Sequence, residues 1–250
     1  MPIAPSEWSP TQTELSGKTI LVTGASEGIG RAASLAYAGC GAEVLLLSRN
    51  EERLEALYDE IVALGAPEPA LLPMDLAKAT HDDFVTLAGS LSEALPKLDG
   101  LLHNASLLGD RKPIAQTRAA TWHDVMQVNV NAGFMLTQIL LPLLDQAPSA
   151  SIVFTSSGVG RTGRAYWGSY AVSKFATEGL MQVLADELGA TSTIRVNSLN
   201  PGAVKTAMRR AAYPAEPPTT NPSPEDIIHE WVYLMSDASA QLNGEALSAQ

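Results

Sequence analysis

One cysteine, Cys40, is all the chain has. An internal disulfide and a cysteine-rich metal site are both excluded by that count. Positive charge is scarce as well: 16 Lys and Arg stand against 27 Asp and Glu, a formal charge of −11 over 250 residues. This balance leaves no whole-protein basic field for nucleic acid, and no cationic amphipathic segment suits a membrane surface. The pair Arg209-Arg210 reads as a solvated helix end or loop. His81, His103, His123 and His229 lie far apart with no HxH or HxxxH spacing, so no catalytic metal is expected. No apolar run approaches the ~20 residues needed to span a bilayer. The start, MPIAPSEWSPTQTELSG, has neither a charged segment ahead of an apolar core nor an Arg-rich amphipathic pattern. A soluble, cytoplasmic protein without nucleic-acid or membrane partners is the expectation.

What is present is the composition of a folded enzyme, 46% hydrophobic and 17% charged. Short β-rich runs (KTILVT, AEVLLLS, ALLPM, DGLLHN, SIVFTS, IRVNSLN and the weaker EALSA) alternate with helical patterns. The helices are predicted at about 28–39, 51–64, 81–95, 121–145, 168–188 and 224–235. Strict alternation with strands apolar on both faces predicts an α/β fold of Rossmann type. Its doubly wound, seven-stranded parallel sheet carries helices on both faces in a single domain. The expected division is an N-terminal extension over 1–16 and one oxidoreductase domain over 17–250, with a substrate loop over 206–224. Prolines forbid regular structure across Tyr213–Pro224.

The first strand runs into Gly24-Ala25-Ser26-Glu27-Gly28-Ile29-Gly30 and then a helix. Glycines there allow a sharp turn and close approach to a pyrophosphate, whose charge the helix N-terminus attracts. The second strand ends at Ser48-Arg49. Choosing NAD(H) usually calls for an acid near this point, and an arginine accommodates the extra 2′-phosphate of NADP(H). NADP(H) is therefore expected over NAD(H), with Arg49 alternatively a solvent-facing residue of the next helix and Glu27 a potential source of repulsion. Asp75, with Leu76 beside it, either accepts from the adenine amine or caps a helix. Asn104-Ala105 ends the fourth strand at the carboxyl edge, where such sheets bind ligands.

Ser157, Tyr170 and Lys174 have the spacing S-x12-Y-x3-K. Four residues apart on a helix, Tyr170 and Lys174 share one face. An ammonium beside a phenol favours its ionised form, and one lysine with a nearby cationic cofactor ring would tune a phenol down about two units from ~10, where it exchanges protons near neutral pH. Alone, the Tyr-Lys pair is equally the mark of a surface helix.

Together these stretches resemble the short-chain dehydrogenase/reductase superfamily, in its branch of roughly 250-residue single-domain enzymes. The matching motifs are TGASEGIG, HNAS, Asn129 in QVNVNAGF, Ser157, YAVSK and NPGAVKT, in the family's order across nearly the whole chain. Within it, LSRNEERLE, LDGLLHNASLLGD and SKFATEGLMQVLADE are similar to the YciK-like group of bacterial oxidoreductases. The resemblance implies Tyr170 as general acid or base, Lys174 on the nicotinamide ribose, Ser157 on the substrate oxygen and Asn129 fixing a water in a proton relay. Pro201, Gly202, Val204 and Thr206 would border the nicotinamide. His103 and Ser106 depart from the common NNAG pattern. Ser106 narrows the space beside the ribose, and His103 reads as a hydrogen-bonded buried histidine. The chain stops soon after EALSAQ without the usual glycine pair, which leaves C-terminal interface contacts open.

The implied reaction moves a hydride between NADP(H) and a small carbonyl or secondary alcohol. Two alternatives stand beside it. A 3-oxoacyl carrier-protein reductase asks for a basic site mouth, which the overall charge does not favour. A catalytically silent cofactor-binding sensor would ordinarily lack one of Ser, Tyr or Lys. Trp167, Tyr166 and Tyr213 line a pocket or meet a second subunit. Two long apolar helices, including Phe175, Ala176, Gly179 and Met181, predict a homodimer or homotetramer.

Overall fold

The computed structural model describes residues 3–5 and 7–250. Seven strands, β1 (Thr19–Thr23), β2 (Glu43–Ser48), β3 (Ala70–Pro73), β4 (Gly100–His103), β5 (Ser151–Thr155), β6 (Arg195–Asn200) and β7 (Ala246–Ser248), form one parallel sheet in the order β3-β2-β1-β4-β5-β6-β7. The inner strands β1 and β5 are buried at every position, because helices cover both faces and each side chain meets apolar neighbours. The order reverses between β1 and β4. The loops leaving their carboxyl ends diverge there and open a crevice.

The helices are α1 (Gly28–Gly39), α2 (Glu51–Ala63), α3 (His81–Ala94), α4 (Ala119–Met126), α5 (Ala132–Leu144), α6 (Gly168–Gly189), α7 (Ala207–Ala212) and α8 (His229–Met235). Their starts follow local chemistry: Asn50 accepts from Arg53 N to begin α2, and Thr80 with Asp83 makes a reciprocal capping box for α3. Three expectations change. The predicted helix 121–145 is α4 and α5 joined by a π-turn over Gln127–Asn131, one extra residue per turn that hydrophobic spacing does not register. The predicted helix 224–235 is regular only from His229, since turns bonded from Asp226 N to Ser223 O and from Ile227 N to Pro224 O precede it. Inside the predicted loop 206–224 lies α7, too short for a periodic signal and started by Thr206 Oγ1 accepting from Arg209 N.

The core lies in two layers, around Trp231 and Tyr37 on one face and Phe84 and Leu136 on the other. The run Ala119–Leu144 is long and apolar enough by composition to cross a bilayer. Its apolar content is accounted for by Leu136, Leu140 and Leu144, which are buried in the second layer. The described part of the N-terminal extension is docked on α8. Ile3 N and Ala4 N donate to the buried Glu230 carboxylate, and Trp8 meets Tyr233 edge-on at 5.0 Å. On α6, Phe175, Val172 and Val183 face solvent, whereas Met181, expected on that outer face, is fully buried.

Candidate active site

Gly24 (φ 67°) and Gly28 (φ 57°) turn the chain out of β1 into α1 in the left-handed region that favours glycine. A Cβ at Gly24 would stand 2.8 Å from Ala105 Cα, and one at Gly30 2.2 Å from Gly24 O. The loop is thus packed against the end of β4 with no room for a side chain. Asn104 ties it down: its amide donates to Thr23 O and Gly24 O, its backbone N–H donates to Thr23 Oγ1, and Thr155 Oγ1 donates to its Oδ1. No side chain caps α1, so its first N–H groups remain available to an anion.

A cavity of about 480 Å³ runs from this loop along the carboxyl edge of the sheet. It collects every site residue expected from the sequence except Gly30, which packs behind the loop, and Asn129. At one end Ser26, Ser48 and Arg49 lie together, with Ser26 Oγ 2.7 Å from Ser48 Oγ. Glu27 pairs with Arg53 at 2.5 Å, which offsets the repulsion it would exert on a phosphate. Asp75 caps no helix: Thr80 starts α3, and Asp75 Oδ1 accepts from Ala77 N at 3.1 Å to close a turn on the cavity wall.

At the other end Ser157, Tyr170 and Lys174 share the wall. Lys174 Nζ donates to Thr155 O at 2.7 Å and lies 5.6 Å from the Tyr170 ring centre. Burial pushes the phenol up to about 12, and the Ser157 hydroxyl beside it acts the other way. Burial pushes the Lys174 ammonium down to about 8, against the attraction of Glu178. Among the chain's own groups the phenol therefore rises, because desolvation of the phenolate dominates in a site this dry. The expected lowering draws on a cationic cofactor ring as well as on Lys174.

A sequence model of short chain dehydrogenases matches residues 18–217. The chain belongs to the short-chain dehydrogenase family. The uncharacterized oxidoreductase YciK of Escherichia coli K12 is 50% identical to it over 243 residues, 97% of this chain and 96% of that protein. A short-chain dehydrogenase of Shigella flexneri 2a strain 301, solved in complex with NADP, superposes with a TM-score of 0.93 at 50% identity, over 96% of this chain and 100% of the other. One from Escherichia coli CFT073, in complex with NADPH, gives 0.93 at 51% identity over 96% and 100%.

In this dehydrogenase Asn129 sits in the π-turn with its side chain fully engaged. Oδ1 accepts from Leu107 N at 2.7 Å, while Nδ2 donates to Leu107 O and Ser173 Oγ. A second cavity of about 20 Å³, large enough for one water, lies between Asn129, Lys174 and His103. His103 is buried there, stacked on Phe154 at 4.6 Å with Nε2 2.8 Å from Thr137 Oγ1, and burial holds it down at about 3. Sequence reading missed Glu178. Its carboxylate accepts from Ser156 Oγ (2.5 Å), Ser198 Oγ (2.6 Å) and Arg161 Nε (3.1 Å), tying the segment that carries Ser157 to the helix that carries Tyr170 and Lys174. An acid four residues after a catalytic-type lysine was the available signal. Arg53, four residues after Arg49, was also missed.

Proposed function

We propose that this dehydrogenase is a soluble, cytoplasmic NADP(H)-dependent oxidoreductase acting on a small carbonyl compound or the corresponding secondary alcohol. The observation that carries the reading is the convergence of Ser157, Tyr170 and Lys174 on one wall of a cavity whose far end holds a glycine loop too tight for a Cβ at Gly24 or Gly30. The loop fits a pyrophosphate because its tight turn leaves the first N–H groups of α1 uncapped beside the cavity. Arg49, backed by Arg53 and the Ser26 and Ser48 hydroxyls, fits a 2′-phosphate better than a bare ribose. When bound, the nicotinamide supplies or takes the hydride.

Ser157 Oγ holds the substrate oxygen and Tyr170 Oη gives it a proton. With the phenol pushed up to about 12, Tyr170 is protonated at neutral pH, the form needed for carbonyl reduction. Lys174, charged below about 8, holds the ribose hydroxyls and stabilises the phenolate left after transfer. Asn129 acts as a positioning residue, fixing the Leu107 backbone and the wall of the water-sized cavity behind Lys174. We also infer a homo-oligomer, since Phe134 on α5 and Val172, Phe175 and Val183 on α6 are exposed. A 26.4 kDa particle by light scattering at micromolar concentration would contradict that assembly.

The test is NADPH oxidation against a panel of ketones, aldehydes, quinones and oxoacyl thioesters. Turnover of at least one class, with NADPH preferred over NADH, is expected. A flat panel together with tight NADPH binding would favour a cofactor sensor.

A further inference from the structure

The acidity of the chain is not evenly spread. The three loops that border the substrate end of the cavity (105–118, 156–167 and 201–216) hold eight of the 16 Lys and Arg but only two of the 27 Asp and Glu. They carry a net +6, and the rest of the chain −17. Several of these cations are matched. Arg118 pairs with Asp110 at 3.3 Å, Arg209 with Glu216 at 2.6 Å and Arg161 with Glu178 at 3.1 Å. Arg111 is different. It is half-buried, its guanidinium lies 4.2 Å from the Trp167 ring centre and 5.1 Å from that of Tyr213, and among the described residues it has no carboxylate within ion-pair distance. Nη1 donates to Ala212 O at 2.5 Å. Nε is buried and has no acceptor.

Nη2 also has no partner among the described residues but reaches the surface, so it is the donor left open to a carboxylate or phosphate. Contact with two aromatic rings, tilted 50° to each other, holds the guanidinium in place before anything binds. Trp167 lines the cavity, its ring centre is 5.7 Å from that of Tyr170, and its own Nε1 is buried without an acceptor. Arginine Nε–H and indole N–H can only donate. Of the six buried side-chain polar atoms without a partner among the described residues, two, on Ser106 and Trp167, belong to residues that line the cavity, and a third is Arg111 Nε against Trp167. What this end of the cavity lacks is acceptors, and it has positive charge in excess.

We propose that the substrate of this dehydrogenase carries an anionic group, a carboxylate or a phosphate, that docks on Arg111 beside Trp167. The inference rests on the oxidoreductase reading for its substrate and adds what recognises that substrate.

Three probes test it in NADPH oxidation: cyclohexanone, the same ring ketone bearing a carboxylate, and acetoacetyl-coenzyme A, whose anionic groups include phosphates. At least one anionic probe is expected to exceed cyclohexanone in kcat/KM by about 10- to 100-fold, the range of a charged hydrogen bond. Arg111→Gln should collapse that ratio towards one, and Arg111→Lys, which keeps the charge but not the fork, should restore part of it. Preference for the ring carboxylate identifies an oxo acid, and preference for the thioester identifies a phosphate-bearing carrier. Equal turnover of all three, or a ratio that Arg111→Gln leaves in place, overturns the anion site and leaves the reductase reading standing. If none of the three turns over, calorimetric binding of the ring carboxylate to the NADP-loaded protein decides. Binding abolished in Arg111→Gln keeps the anion site while the reductase reading falls, and no binding overturns the anion site.

Discussion

The two ends of the main cavity are built from different materials. The end proposed for the cofactor is backbone: two glycines in the left-handed region, a third with no room for a Cβ, and an asparagine bonded to the loop's own carbonyls. The end proposed for the substrate is side chain, with Trp167 and Tyr213 tilted at 50° to each other, ring centres 6.0 Å apart, and Arg111 and Arg209 over the Tyr213 ring. Backbone geometry admits almost no substitution and is read by every ligand with a pyrophosphate. Side chains on loops can be exchanged while the sheet beneath them stays the same.

The largest expected effect lies where the two ends meet. Tyr170→Phe should lower kcat about 1000-fold, within the range for removing a proton donor, while NADPH affinity measured by fluorescence titration stays nearly intact. Substantial residual turnover would remove Tyr170 from its role. Next comes the far end of the cofactor cavity. Arg49→Asp should weaken NADPH by about 100-fold, because repulsion of the 2′-phosphate replaces a charge-assisted hydrogen bond, and NADH far less. Equal weakening of both cofactors would mean that Arg49 only faces solvent.

The contrast in materials itself is tested by two glycines. At Gly30 an added methyl would stand 2.2 Å from Gly24 O and 2.5 Å from Asn104 Nδ2, whereas at Gly163 nothing lies within 4 Å. Gly30→Ala should cost about 1–3 kcal/mol in denaturant unfolding and weaken NADPH about tenfold. Gly163→Ala, on the substrate side, should stay within about 0.5 kcal/mol. Similar behaviour of the two variants would erase the distinction.

The smallest effect is on pH. Lys174, pushed down to about 8, is charged below that value and neutral above it. Reductive kcat/KM should be level below pH 8 and fall as pH rises past it, because the phenolate loses its cation while Tyr170, at about 12, stays protonated. A profile flat to pH 10 would separate Lys174 from the proton transfer.

Much of this arrangement was legible beforehand because it is local. The glycine loop, the Ser48-Arg49 strand end and the Tyr170–Lys174 pair each depend on residues a few positions apart, and the alternation of strands and helices fixed the sheet that carries them. The departures have a common cause. The π-turn at Asn129 is one residue of winding inside an apolar helix, invisible to a count of 3–4 spacing. Glu178 shows its part only when β5 and β6 bring Ser156 and Ser198 to its carboxylate. The phenol's upward shift comes from burial among neighbours far away in the chain.

By itself the sequence determined the parallel sheet and the glycine loop, and it singled out the residues proposed for proton transfer, because hydrophobic period and short motifs act over single elements. Only the tertiary structure decided the charge of the substrate end. An overall −11 argues against a basic site mouth, yet three loops far apart in the chain, with a net +6 among them, border one end of the cavity, and Glu178 of α6 offsets only one of those charges. Electrostatic interaction falls with distance through space, so where those arginines lie in the fold, and not how many the chain has, sets what the cavity attracts.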